Sequence, residues 1–187
     1  MFYTITMALA IYEIPEVKLT LISPQDYELL CRENPNSYKN TELFEGVIIE
    51  KMTKSSEHIF WKHFITNSLQ NILPPNYFIR NEDVLLLGQS ELEPDISIVS
   101  GNFMDYRDTF PKTARLVIEI SVTSLLYDRE KARAYASGNV DEYWIVDTKA
   151  QKIEVFTQAK GNEYIDKKSY KFSDNIPVFE SFISLKA

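Results

Sequence analysis

A chain of 187 residues with 44% hydrophobic and 13% aromatic content has apolar material for one ordinary core and little to spare for a second. Its formal charge of -7 excludes a surface that grips nucleic acid by bulk cationic charge, so any such contact has to be local. Cys31 is the only cysteine, which excludes a disulfide framework and a thiolate zinc cluster and fits a reducing cytoplasm. A solvated acidic surface and a carboxylate site around a divalent cation both account for the acidity.

The expected organisation is a single domain over residues 1–187, with an N-terminal arm over 1–18 and a C-terminal extension over 160–187. The stretch Phe2 to Tyr12 is apolar, yet it lacks a basic start and a small-residue cleavage site and is too short to span a bilayer. No membrane contact is expected. Ser23-Pro24-Gln25-Asp26 opens a helix, with a capping serine and a proline at the first helical position, and Asn34-Pro35-Asn36 closes it. Glu42 to Glu50 is rich in branched and aromatic residues and reads as one strand. Ser55-Ser56 starts a longer helix to about Leu73, with Phe60, Phe64, Ile65, Leu69 and Ile72 at helical spacing.

Tyr77 to Ile79, Asp83 to Leu87, Ile96 to Val99 and Leu116 to Ile120 read as strands between Gly, Pro and Asn breaks, and Leu116-Val117-Ile118 has the two-sided apolarity of a central strand. Ser124 to Ser137 reads as a helix ended by Gly138-Asn139. Tyr143 to Val146 and Ile153 to Phe156 follow as strands across Asp147-Thr148-Lys149, with a further hairpin using Tyr164 and Ser169 to Phe172. Helices alternate with strands around a mixed sheet, so the class is α/β or α+β.

Two carboxylates, Asp95 after Pro94 and Glu119 within Leu116-Val-Ile-Glu-Ile-Ser121, sit on apolar strands, where a lone carboxylate is costly unless paired, hydrogen bonded or on a metal. The alternative for Glu119 is an ionised residue at an exposed strand end, bonded to Ser121 or a helix start. On the helix that follows, Asp128, Lys131 and Tyr135 fall within about 60° of one another at 100° per residue. They either project together toward the carboxylates or, for Asp128 and Lys131, form an ordinary surface pair. His58 shares a helical face with Trp61, Lys62, Ile65 and Leu69 and reads as packed or hydrogen bonded rather than as a ligand. Glu142-Tyr143-Trp144 reads as a strand start whose aromatics pack in the core or a dimer contact. Arg129 and Arg133 suit either phosphate contacts or a solvated helix face.

Taken in order, Glu93-Pro94-Asp95-Ile-Ser-Ile-Val99, Leu116-Val-Ile-Glu-Ile-Ser121, Asp128-Arg-Glu-Lys131 with Tyr135, and Gly138-Asn-Val140-Asp-Glu142-Tyr-Trp-Ile-Val-Asp147 resemble the ordered signature of the Uma (Uma-two) family, a branch of the PD-(D/E)xK nuclease superfamily. Upstream, Glu42-Leu43-Phe44-Glu45-Gly46 and His58 resemble that family's early strand and the histidine of its first long helix. The resemblance spans about residues 20 to 160. It implies a restriction-endonuclease-like core, a mixed central sheet flanked by helices, in which Asp95 and Glu119 bind Mg²⁺ or Mn²⁺. The superfamily lysine usually lies two residues after the second acid, where this chain has Ser121. The resemblance therefore carries the lysine role to Lys131 and makes Glu42 an additional acid ligand, Glu45 being the weaker choice. On the helix-face reading Tyr135 holds Lys131 in orientation, and in the metal-dependent mechanism the backbone carbonyl of Ile120 adds a metal ligand.

The activity so implied is metal-dependent hydrolysis of DNA phosphodiester bonds, with a homodimer by analogy to nucleases that cut two strands. Two rivals stand beside it: a binding or regulatory module that keeps the fold without hydrolysis, and a hydrolase of another phosphate ester.

Overall fold

A computed structural model describes residues 20–186 of the chain, so the expected arm over 1–18 lies outside them. Ser23 caps helix α1 (Pro24–Glu33) by accepting from the Asp26 N–H at 3.1 Å, as its spacing predicts. Past Asn34 the chain adds one further helical turn, α2 (Pro35–Tyr38), where the sequence reads a stop. Proline suits the first position of a new helix as well as the end of an old one.

The single strand expected over 42–50 is instead a hairpin, β1 (Thr41–Phe44) and β2 (Val47–Glu50), paired Phe44↔Val47 around a two-residue turn. Glu45 and Gly46 have φ of 50° and 81°, the pair of positive values that a tight hairpin of this hand requires. A Cβ on Gly46 would lie 2.7 Å from the Leu21 Cβ, so the turn also needs glycine for space. Helix α3 (Ser56–Gln70) begins at its Ser55 cap as expected and stops about a turn short of Leu73. The strands β3 (Tyr77–Arg80), β4 (Leu85–Leu87), β5 (Ser90–Leu92) and β6 (Ile96–Ser100) follow. The sequence reading has no counterpart to β5, which closes a four-stranded sheet β2-β1-β5-β4.

β7 (Leu116–Ser121), α4 (Leu125–Ser137) and β8 (Glu142–Asp147) form a crossover unit in which β7 and β8 are parallel. With β9 (Lys152–Lys160) and β10 (Glu163–Lys171) they complete a six-stranded mixed sheet, β10-β9-β8-β7-β6-β3. All its other pairings are antiparallel. A short hairpin of β11 (Ile176–Val178) and β12 (Ser181–Ile183) ends the described chain. Segment 160–187, expected as an extension, thus supplies an edge strand, and its Phe172, Ile176, Val178, Ile183 and Leu185 join the buried core.

Every residue of β7 is buried, as its two-sided apolarity predicts. Leu116, Ile118 and Ile120 face α3 through Ile65 and Leu69, whereas Val117 faces α4 and the small sheet through Ala134, Phe44 and Leu92. The pleat alternates sides at each residue, so Glu119 goes with Val117, beneath α4. Tyr143 and Trp144 are fully buried, which assigns them to the core and not to a dimer contact. Among the described residues no helix is long and apolar enough to cross a membrane.

Candidate active site

β6 and β7 run antiparallel with Ile96 opposite Ile118, and one step further this register sets Asp95 opposite Glu119. The Ile120 N–H donates to Asp95 Oδ2 at 2.7 Å, and the Asp95 N–H points at Glu119 Oε2 at 3.4 Å. The strand geometry alone therefore brings the two expected acids side by side. Glu119 is 4% exposed and Lys131 5%, which rules out both the exposed-end reading of Glu119 and the surface-pair reading of Lys131.

Helix α4 turns the predicted face toward them. Lys131 Nζ lies 3.0 Å from Glu119 Oε1 and 2.9 Å from Glu42 Oε1, and the Tyr135 hydroxyl donates to Glu119 Oε1 at 2.7 Å. Asp128 is buried on the same face, where it feels the charge of Lys131, but its oxygen accepts from the Ser124 hydroxyl at 2.5 Å and forms no direct ion pair with a lysine among the described residues. Glu42, on β1, accepts from the Tyr127 hydroxyl at 2.9 Å through the oxygen that also takes Lys131. Glu42 is thus held as a partner of Lys131 and Tyr127. Glu45 sits apart, at the hairpin turn, where it pairs with Arg133.

His58, on the first turn of α3, places Nε2 2.9 Å from Asp95 Oδ2. Sequence spacing ranks it as packed or hydrogen bonded, and the bond is to a site acid. Tyr127 has no place in the sequence reading. Its ring lies under Lys131 Nζ at 4.9 Å and meets Phe44 edge-on, and the only sequence signal for it is the four-residue step to Lys131. Arg129 and Arg133, expected as phosphate contacts or solvated charges, are engaged by Glu154 and by Glu45 with Glu130.

Glu42, His58, Asp95, Glu119, Tyr127 and Lys131 line an open cleft of about 260 Å³, walled by the β2–α3 loop (Lys51 to Ser55) and by Val122 to Ser124. Around it the carboxylates of Glu42, Asp95, Glu119 and Asp128 meet one buried ammonium, Lys131. Burial, reinforced by Asp95, Asp128 and Glu42, pushes the Glu119 carboxyl up to about 8 against the pull of Lys131. Burial alone would lower the Lys131 ammonium, but Glu119 and Glu42 outweigh it and hold it well above the usual lysine value. Burial and Glu119 likewise keep Tyr135 a protonated donor. The cluster is thus short of positive charge.

Among the described residues no group of three His, Cys, Asp or Glu side chains is arranged to hold a metal ion. What does fit a hard cation is the pair Asp95 and Glu119. Both hydrogen bonds to the Asp95 side chain fall on Oδ2, leaving the Oδ1 of this cleft-lining residue without a donor among the described residues. Carboxylate oxygens are the donors that Mg²⁺ and Mn²⁺ prefer.

The fold is also that of a crystal structure described as a "putative nuclease" from Anabaena variabilis, with a TM-score of 0.67 and 17% identity over 78% of this chain and 87% of that one. No curated protein matches the chain at a significant level. A family model described as "putative restriction endonuclease" matches residues 24–186, nearly the whole described chain. The protein belongs to this Uma-two family, and its mixed sheet flanked by helices is the restriction-endonuclease-like fold that the ordered motifs imply.

Proposed function

We propose that the protein is a divalent-metal-dependent nuclease that hydrolyses phosphodiester bonds of DNA. The observation that carries this reading is the meeting of Asp95, Glu119 and Lys131 on the floor of one open cleft, in a chain of this family. Asp95 and Glu119 would hold Mg²⁺ or Mn²⁺, with the backbone carbonyl of Ile120 completing the site; when bound, the ion supplies Lewis-acid polarisation of the phosphate.

The chain's own residues do the rest. Lys131 has three N–H groups, two of which face Glu42 and Glu119, so its charge is fixed at the cleft floor and one donor is left for a phosphate oxygen. That placement stabilises negative charge as it builds on phosphorus, with no reorganisation during the reaction. Tyr135 holds the Glu119 carboxylate, and Tyr127 with Glu42 holds the ammonium. A homodimer that cuts two strands belongs to the same proposal and is checked by sedimentation.

The test is cleavage of plasmid and single-stranded DNA by purified protein with Mg²⁺, Mn²⁺ or EDTA, comparing wild type with Asp95→Ala and Lys131→Ala. Metal-dependent nicking lost in both variants supports the nuclease. Equal low activity in all three marks a contaminant and favours the module that keeps the fold without hydrolysis. That second reading has one observation behind it: Glu42, Asp95, Glu119 and Asp128 each already accept a hydrogen bond or ion pair from the protein itself.

A further inference from the structure

Asp95 lies just before β6 begins, where the strand ladder does not yet hold the chain, and two donors from different elements converge on one of its oxygens. The Ile120 N–H reaches Oδ2 from β7 at 2.7 Å and His58 Nε2 reaches it from α3 at 2.9 Å. An ionised carboxylate only accepts hydrogen bonds, so the proton in the histidine contact has to sit on Nε2. His58 Nδ1 supports this independently, since it is buried and has no hydrogen-bond partner among the described residues. A bare ring nitrogen tolerates that setting better than an N–H would, because a buried donor left unpaired costs the full loss of its hydration. The helix start fixes the arrangement. Ser55 Oγ accepts the His58 backbone N–H at 3.2 Å, which sets the imidazole at the third helical position, beside the sheet end.

Resting on the metal reading above, we infer that His58 is a positioning residue: its Nε2–H and the Ile120 N–H together pin Asp95 Oδ2, so that Oδ1 is the oxygen presented to the cation. With one donor the carboxylate can still rotate about its last bond. With two, from a strand and a helix, it cannot do so without breaking one. Partners that orient metal ligands in this way are typically worth 10–100-fold in metal affinity. A histidine that merely packs would be indifferent to which ring nitrogen carries the proton.

Two measurements test this. Imidazole ¹⁵N shifts of the protein without metal read the His58 tautomer: Nε2–H is expected, and Nδ1–H overturns the proposal whatever any metal does. Calorimetric titration with Mn²⁺ alone then compares wild type, His58→Ala and His58→Gln, with thermal unfolding of each. His58→Ala should bind about 10–100-fold more weakly. His58→Gln, whose amide nitrogen can stand where Nε2 stood, should recover most of the loss. Unchanged affinity in His58→Ala beside normal wild-type binding overturns the positioning role alone. No Mn²⁺ binding by wild type overturns the metal reading and this inference with it. If His58→Ala does not fold, His58→Gln against His58→Asn decides, because the shorter amide cannot reach Oδ2 and equal affinities would overturn the role.

Discussion

Lys131 and Arg129 stand two residues apart on α4, and each cation shares acidic partners with the strands beneath. The Lys131 side chain is 7% exposed and lies between Glu42 and Glu119, whereas the Arg129 side chain is 41% exposed and meets Glu154, which also takes Lys167 at 2.9 Å. The exposed cluster forms in high dielectric at little cost and returns little. The buried one takes two carboxyl groups and an ammonium out of water, and their mutual attraction offsets that cost only while every partner is present. A fold in need of stability alone would do as well with apolar side chains there. Stability thus gives the buried cluster no explanation of its own, and the proposed nuclease chemistry supplies one; the exposed cluster needs none.

The comparison breaks or sharpens in stages. Lys131→Met should lose about 3–5 kcal/mol in urea unfolding, because it leaves Glu42 and Glu119 buried without their cation. Adding Glu42→Gln and Glu119→Gln to that variant should restore most of the loss while cleavage stays absent; failure to recover would mean that Lys131 acts mainly through packing of its stem. Tyr127→Phe removes one hydrogen bond to a charged oxygen and should cost about 1.5–3 kcal/mol by the same measurement.

The two clusters also bend the pH dependence of stability in opposite directions. Glu119 has its folded value raised to about 8, so the folded protein holds a proton that the unfolded chain has released. Its contribution is full below the ordinary carboxyl value and is lost as pH rises toward about 8, at a slope of at most about 1.4 kcal/mol per pH unit. Glu154 runs the other way. Burial would raise it, but hydrogen bonds from Arg129 and Lys167 outweigh burial and lower it, so its contribution is present above the ordinary carboxyl value and fades as pH falls. Glu119→Gln should flatten the neutral limb of a stability-versus-pH curve, and Glu154→Gln the acid limb. Arg129→Ala should cost about 1 kcal/mol or less, a loss that 1 M salt erases, while the Lys131→Met loss persists in salt.

Much of this was legible in the residue order, for local reasons. Ser23 and Ser55 announce their helices because a cap acts on backbone within three residues. The 100° step along α4 aligns Asp128, Lys131 and Tyr135, and the structure brings all three beneath the helix as buried side chains. The Glu45-Gly46 turn was masked by branched residues on both sides that mimic a continuous strand, although a residue-glycine pair is itself a hairpin signal. β5 has only three residues, two of them polar, and exists because β1 and β4 offer edges to pair with. The bonds of His58 to Asp95 and of Tyr127 to Glu42 span 37 and 85 residues, a separation at which no periodicity carries information.

That 85-residue span has a consequence for the chain as it is made. Glu42 emerges early in synthesis and waits for Tyr127 and Lys131, so no stretch of the growing polypeptide short of α4 contains a completed cluster. A proteolytic fragment that starts after the β1–β2 hairpin keeps the lysine but lacks one of its two acids. The assembled cleft is thus a late product of folding, formed when hairpin, sheet and helix have all docked. A growing chain that has not yet made α4, or a fragment without the hairpin, lacks the finished cluster, so whatever the cleft does is confined to molecules in which all three parts are present.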